Sequence, residues 1–356
     1  MGYPAGLLDY FFRGELGVKV IPVFTGNVLG GLSLEVRNYT STREPLSNGY
    51  FVLGYNFTRK SDGARFYGAI PSVISMNNLG VAQLPYGKNA DGSDNDNKIV
   101  IFFTSFPHSI TVEEYPSATF SLAYFGELGA EKPLVSPIGT AMSLGAVIGK
   151  VFKGGKILFN EEWDNGLTGN YQWCHGVNEP DSINISNFIE EGDLIKDNNR
   201  SSDYLKAHLN QTLLSANFSQ CNTDNTLPIT ITRDTHLQFK IDAMTITNPP
   251  VSGDGSVTQY QGLWLNFSGG VSLQLSLPGQ FLTYPSTGNY TFSPGGSTSG
   301  NIYDMLRQVG LPVSEPLTLR SINLVQQLLQ HDIENGDCNQ HMEMDFIRIV
   351  DAKPIE

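Results

Sequence analysis

Four carboxylates, Glu161, Glu162, Asp164 and Asp345, are of the type that holds calcium, a hard cation that takes about six to eight oxygen ligands. They could converge only if the strand carrying the first three lies beside the strand carrying the last; otherwise they are solvated acids. The run Asp91-Gly92-Ser93-Asp94-Asn95-Asp96-Asn97 also alternates oxygen-bearing side chains. It lacks the glycine at the sixth place and the distal glutamate of an EF-hand loop, so a solvated turn is the simpler reading.

Sugar recognition needs aromatic faces for the apolar side of a pyranose and amides or carboxylates for its hydroxyls. Trp163, Tyr171, Trp173, Tyr260 and Trp264 are the aromatic candidates. Taken singly, each reads more simply as core packing or a lone surface aromatic. In Gly262-Leu263-Trp264-Leu265-Asn266-Phe267, however, Leu263, Leu265 and Phe267 share one face of a strand. Trp264 and Asn266 share the other, which makes Trp264 the best candidate for an exposed platform.

Catalytic patterns are absent. Glu161 and Glu162 on a strand point to opposite faces and cannot flank one glycosidic bond. Cys174 and His175 are sequence neighbours, which does not make a nucleophile and base, and none of His208, His236, His331 and His341 is singled out as a distant partner. No nucleophile elbow, phosphate loop or His-Glu-x-x-His motif occurs.

The elements that must position these residues are strands. Met342, Met344 and Phe346 alternate with Glu343, Asp345 and Ile347, after which the apolar set slips onto Ile347 and Ile349, as a β-bulge would produce. His236 to Ile246 has the same grammar: Leu237, Phe239 and Ile241 alternate before Met244 and Ile246 take over.

In the first half, strands are read at 7–24, from Leu32 to Tyr39, from Tyr50 to Phe57, from Ala64 to Ile70, from Val73 to Leu84, from Ile99 to Thr104 and from Thr119 to Leu128. Short strands joined by turn chemistry predict an immunoglobulin-like or fibronectin-like antiparallel sandwich over residues 1–151. The domain boundary is placed near Val151 to Gly155.

The second domain, residues 152–356, opens with Ile157 to Gly166, a strand ending in an acidic, aromatic turn, and has further strands at Ile229 to Ile246, Gln261 to Phe267 and Val271 to Leu277. A hairpin is expected at Ser268-Gly269-Gly270. Short helices are predicted over Ser202 to Leu209 and Asn301 to Val309, the latter stopped by Gly310, with a helical turn over Leu324 to Leu329.

Composition narrows the partners. Of 356 residues, 40% are hydrophobic and 16% charged, which is globular and not disordered. Residues 1–151 hold 11 basic and 12 acidic side chains, a net charge of -1, and the remainder carries -12 of the total of -13. An acidic second half without a Lys/Arg cluster argues against nucleic acid and anionic membranes, and favours neutral or cationic ligands. No apolar run reaches the ~18 residues that span a bilayer. The start Met1-Gly2-Tyr3-Pro4 has no signal-peptide pattern, so the sequence is expected to be part of a longer polypeptide with neighbouring domains. Cys174, Cys221 and Cys338 permit one disulfide and leave one thiol, with the pairing open.

In order, the second half has an acidic opening strand, a central pair from Leu237 to Leu277, Leu317-Thr318-Leu319-Arg320-Ser321-Ile322-Asn323-Leu324, and a closing Asp345-Phe346-Ile347-Arg348-Ile349. Over about residues 157–352 this resembles the jelly-roll of carbohydrate-binding modules and related galactose-binding-like domains. The resemblance implies a non-catalytic module that binds a glycan on a concave face or loop tip, with a structural calcium near its first and last strands. The polar segment from Asn178 to Asn225 departs from that pattern. The first half, through Asp9-Tyr10-Phe11-Phe12-Arg13-Gly14 and Phe120 to Gly129, is similar to sandwich domains appended to bacterial secreted proteins, which implies presentation and not chemistry.

The expectation is therefore an all-β protein of two antiparallel β-sandwich domains, immunoglobulin-like followed by jelly-roll. It is expected to be extracellular or on a cell surface and to bind a glycan or polysaccharide without catalysis. The rivals are a structural or adhesive module that binds protein, and a glycoside hydrolase.

Overall fold

The structure is a computed structural model that describes residues 14–130, 146–163, 173–177, 185–190, 193–200, 214–220, 227–247, 259–278, 287–311, 313, 316–328 and 338–352. The chain divides into two compact units, Met1–Lys156 with Ala352–Glu356, and Ile157–Asp351.

In the first unit, β1 (Leu16–Thr25) and β2 (Val28–Asn38) form a tight antiparallel hairpin whose turn places Gly26 at φ 52°. Leu16, Val18 and Val20 of β1, and Leu32, Leu34 and Val36 of β2, are buried at every second position, which is what alternating apolar residues dictate in a half-buried strand. The next strands are β3 (Leu46–Thr58), β4 (Arg65–Ala69), β5 (Ile74–Ser75), β6 (Gln83–Leu84), β7 (Ile99–Thr104), β8 (Thr119–Leu128) and β9 (Ala146–Lys153). One sheet runs β1-β2-β7 and the other β4-β3-β8-β9, with β5 and β6 also on β3. The strand expected from Val73 to Leu84 is two short pieces, β5 and β6, separated by a turn through Gly80 at φ 68°. Val151, taken as the boundary, lies inside β9, opposite Ser121 of β8. The expected start of the first strand at residues 7–13 lies outside the described residues.

The second unit is a two-sheet sandwich. Its strands are β10 (Ile157–Glu161), β11 (Trp173–Val177), β12 (Ile185–Glu190), β13 (Asp193–Arg200), β14 (Leu214–Gln220), β15 (Ile229–Ile231), β16 (Thr235–Thr247), β17 (Gln259–Phe267), β18 (Ser272–Ser276), β19 (Thr287–Thr291) and β20 (Ser297–Asn301). A short helix α1 (Ile302–Gln308) precedes β21 (Leu317–Leu328) and β22 (Cys338–Asp351). One sheet is ordered β12-β13-β22-β16-β20 with β10 on β22, the other β11-β14-β21-β17-β18-β19 with β15 on β21. Leu237, Phe239, Ile347 and Ile349 from the first sheet meet Leu263, Leu265, Leu273 and Leu324 from the second in one buried core. The first and last strands of the unit are neighbours, with Phe159 opposite Ile349 and Glu161 opposite Ile347.

The slip in the apolar pattern of β22 is a register shift: Lys240 pairs with Phe346 and Ile241 with Met344, so Asp345 has no partner across the ladder. Asp242 is skipped in the same way on β16, between Ile241 and Ala243.

Helix α1 matches its prediction. Asn301 caps it by accepting a bond from the Asp304 amide at 3.1 Å, and Gly310 follows at φ 79°. The helical turn expected over Leu324 to Leu329 is instead part of β21. Three strands, β12, β13 and β14, lie in the polar segment from Asn178 to Asn225; the helix expected over Ser202 to Leu209 lies outside the described residues.

Candidate functional site

On β17 the core-facing set is Leu263, Leu265 and Phe267, so Trp264 and Asn266 occupy the opposite, outer face. Residues paired directly across strands share a face. Trp264 pairs with Asn323 of β21 and Gln274 of β18, and Gln274 pairs with Asn289 of β19. The adjacent row is Ser321, Asn266, Ser272 and Thr287. An indole therefore stands within two rows of amides and hydroxyls on four consecutive strands.

These groups are mutually oriented. Asn266 Nδ2 donates to Ser321 Oγ at 2.9 Å, Ser272 Oγ donates to Asn266 Oδ1 at 2.7 Å, and Asn323 Nδ2 donates to Ser321 Oγ at 3.2 Å. Trp264 is half-buried and meets Tyr260 edge-to-face at 6.0 Å, beside Val325. Ser276 Oγ and Asn289 Oδ1 are buried without a hydrogen-bond partner among the described residues. Buried oxygens of this kind call for a donor, since an unsatisfied buried polar group costs about 1–3 kcal/mol.

The other aromatic candidates do not join this face as platforms. Tyr260 does share it, but is fully buried and donates its hydroxyl to Leu263 O at 3.0 Å. Trp163 is fully buried in the core at φ 59°, so its indole fills the sandwich. Trp173 starts β11, with its side chain outside the description, and Tyr171 lies outside the described residues. Trp264 itself is less exposed than a free platform, because Tyr260 and Val325 pack against it.

The carboxylates expected to hold calcium go separate ways, although the strands that carry them are adjacent. Glu161 is buried and accepts the Trp163 amide at 3.2 Å, while Glu162 pairs with the fully buried Arg348. Asp164 lies outside the described residues. Asp345 is the skipped residue of the bulge and groups with Asp193 and Asp242, one oxygen from each lying within 4.8 Å of the others.

Lys240 is placed among these acids, its Nζ 2.9 Å from both Asp242 and Asp345. Burial works against the ammonium, but the two carboxylate hydrogen bonds prevail and hold its pKa above the ordinary lysine value. Asp193 is pushed up to about 6 by burial first, then by the charges of Asp345, Asp242 and Glu343. A cation already belongs to this cluster, and it is a side chain.

Sequence reasoning passed over Gln274, Asn289, Ser321 and Asn323. A signal for two of the four strands was available: Ser272-Leu273-Gln274-Leu275-Ser276 and Ser321-Ile322-Asn323-Leu324 alternate polar with apolar residues in phase with Trp264 and Asn266. Among the described residues no helix is long and apolar enough to cross a membrane.

No family model matches the sequence, and no curated protein does. Among solved structures, the chain has a slight likeness to the sporulation control protein Spo0M of Bacillus subtilis, with 9% identity over 64% of this chain and 77% of that one and a TM-score of 0.22. The N-terminal CBM22-1-CBM22-2 tandem domain of Paenibacillus barcinonensis Xyn10C shares 10% identity over 95% and 92% at a TM-score of 0.18. The CupB6 tip adhesin of Pseudomonas aeruginosa shares 10% over 91% and 89% at 0.14. Likeness at this level fixes neither family nor function, and the chain is described by its own geometry as an all-β, sandwich-like protein.

Proposed function

We propose that the second unit is a non-catalytic carbohydrate-binding module whose ligand lies on the outer face of the β21-β17-β18-β19 strands. The supporting observation is the half-buried set Asn323, Trp264 and Asn289, with Asn266, Ser272 and Ser321 beside them, arranged around a fully buried Gln274. A half-buried indole offers apolar contact to a pyranose, and flanking amides and hydroxyls supply donors and acceptors without net charge. A neutral, hydroxyl-rich ligand suits that inventory better than an ion does. The protein is read as extracellular, with the first unit an immunoglobulin-like module that presents the second.

The test is calorimetric titration of the folded protein with a panel of neutral oligosaccharides, repeated on Trp264→Ala and Asn323→Ala. Saturable binding that each substitution weakens at least about tenfold, a loss of about 1.4 kcal/mol, supports the reading. Silence across the panel at millimolar concentration, with native circular dichroism, refutes it.

One observation favours a second reading, protein adhesion. Strand β7 has a single neighbour, β2, among the described residues, and its outward Val100 and Phe102 are 56% and 50% exposed. An apolar edge strand of this kind can pair with a strand from another protein. Adhesion predicts a Phe102-dependent interaction and indifference to Trp264.

A further inference from the structure

The first unit contains a cavity of about 550 Å³ between the turn joining β3 to β4 and the segment from His108 to Glu114. Its size falls within the range of small-molecule sites, about 300–1,000 Å³. Its walls are pinned. Glu114, only 3% exposed, accepts the Lys60 amide at 2.8 Å and the Thr111 amide at 2.9 Å, joining the two segments through one carboxylate. Tyr55 Oη lies 2.7 Å from His108 Nδ1, which fixes the imidazole at the rim.

The floor is aromatic but already crowded. Phe57 stacks on Phe66 at 5.3 Å, the Arg59 guanidinium lies 4.8 Å from the Phe66 ring centre, and His108 tilts against it at 4.7 Å. Such a floor accepts an apolar group at its edge, but it does not present the open ring face on which a sugar stacks.

Polar contact at the mouth comes from Lys60 Nζ and Glu113 Oε2, 3.1 Å apart, with side chains 61% and 71% exposed. An ion pair this open to water is weak and easily exchanged. A ligand with its own adjacent cation and anion could replace each partner with its complement at no cost in net charge. Arg59 is engaged in its own pair with Asp62, which leaves Lys60 as the anion's partner.

We infer that this cavity binds a small zwitterion with an apolar side chain, a free amino acid or short peptide. Its carboxylate meets Lys60, its ammonium meets Glu113, and its side chain rests against the edge of Phe66, the half-buried ring of the floor. The site lies in a different unit from the Trp264 face, and either proposal can fail without the other.

The experiment is saturation-transfer NMR on the full chain with L-phenylalanine as the probe. Phenethylamine, which lacks the carboxylate, N-acetyl-phenylalanine, which lacks the ammonium, and glucose serve as comparisons. Saturable transfer from L-phenylalanine is expected, weakened at least about tenfold in either half-analogue and in Lys60→Ala or Glu113→Ala. Both substituted side chains are exposed, so folding should survive. Absence of transfer at millimolar L-phenylalanine overturns the inference, as does equal binding of the half-analogues or a response to glucose that depends on Lys60.

Discussion

Asp242 and Asp345 are the two residues that the ladder between β16 and β22 skips, and both turn to the same ammonium, Lys240 Nζ, at 2.9 Å. A bulge leaves a residue outside the pairing pattern and free to be aimed. Here two bulges aim two acids at one base, with Asp193 of β13 alongside. Lys240→Met should therefore leave three neighbouring carboxylates without their cation. The Lys240 side chain is 29% exposed, so the expected loss lies between that of a surface pair and a buried one, about 1–3 kcal/mol by urea unfolding. Millimolar calcium should then stabilise the variant and leave the unsubstituted protein unchanged. Equal stabilisation of both would show that Lys240 does not stand in for a metal.

Asp193 gives the cluster a pH dependence whose sign can be worked out. Its carboxyl titrates at about 6 in the folded protein against 3.8 as an ordinary aspartate. Below about pH 4 it is neutral in both states and does not affect stability. As pH rises from about 4 to about 6 the unfolded chain releases this proton while the folded state, with Asp345 and Asp242 alongside, holds it, so stability falls, and above about 6 the loss is complete. Asp193→Asn should raise the unfolding midpoint at pH 7.5 and have no effect near pH 4. A larger gain at pH 4 than at pH 7.5 would contradict the assignment.

How much of this was legible depends on whether burial followed the apolar alphabet. The slip after Phe346 was readable because Met344 and Ile347 both face the core, and only an extra residue between them permits that. Strand β21 was misread at its end because Leu324, Val325 and Leu328 mimic helical spacing. The residue that restores strand alternation is Gln326, which faces inward although polar. It is fully buried and donates to Gln261 Oε1 at 3.2 Å and to Lys196 O at 2.9 Å. The bond to Lys196 of β13, with Gln340 of β22 donating to Tyr260 O at 3.4 Å, joins the two sheets by amides in place of hydrocarbon. The same inward polarity, at Lys196, hid strand β13. A hydropathy pattern cannot report a polar core, because the hydrogen bonds that make burial tolerable come from distant strands. The outer face of β17 was legible for the opposite reason: Leu263, Leu265 and Phe267 recur at every second position and leave Trp264 and Asn266 together on the other side.

Gly262, on the same face as Trp264, offers a backbone test of that sheet. A β-carbon there would lie 2.0 Å from Leu275 O and 3.2 Å from the Tyr260 hydroxyl oxygen. A carbonyl in a strand ladder cannot swing aside, so β17 and β18 would have to separate. Gly262→Ala is expected to cost about 1–3 kcal/mol, the range for overpacking, and to shift the Trp264 environment in near-ultraviolet circular dichroism. A neutral outcome would mean that the two strands are not in this register.

The two faces of β17 can be separated by neighbouring substitutions. Leu265 is fully buried between the sheets, so Leu265→Ala removes packed core and should cost about 2–5 kcal/mol. Trp264 is half-buried on the outer side and packs against Tyr260 and Val325, so Trp264→Ala should cost less stability, about 1–2 kcal/mol. Binding should show the reverse order, because the indole and not the leucine is offered to a ligand. Both variants would be measured by urea unfolding and by oligosaccharide titration under conditions where each is folded. If Trp264→Ala proves as destabilising as Leu265→Ala while affinity is unchanged in both, Trp264 is a packing residue and the glycan face must be sought elsewhere.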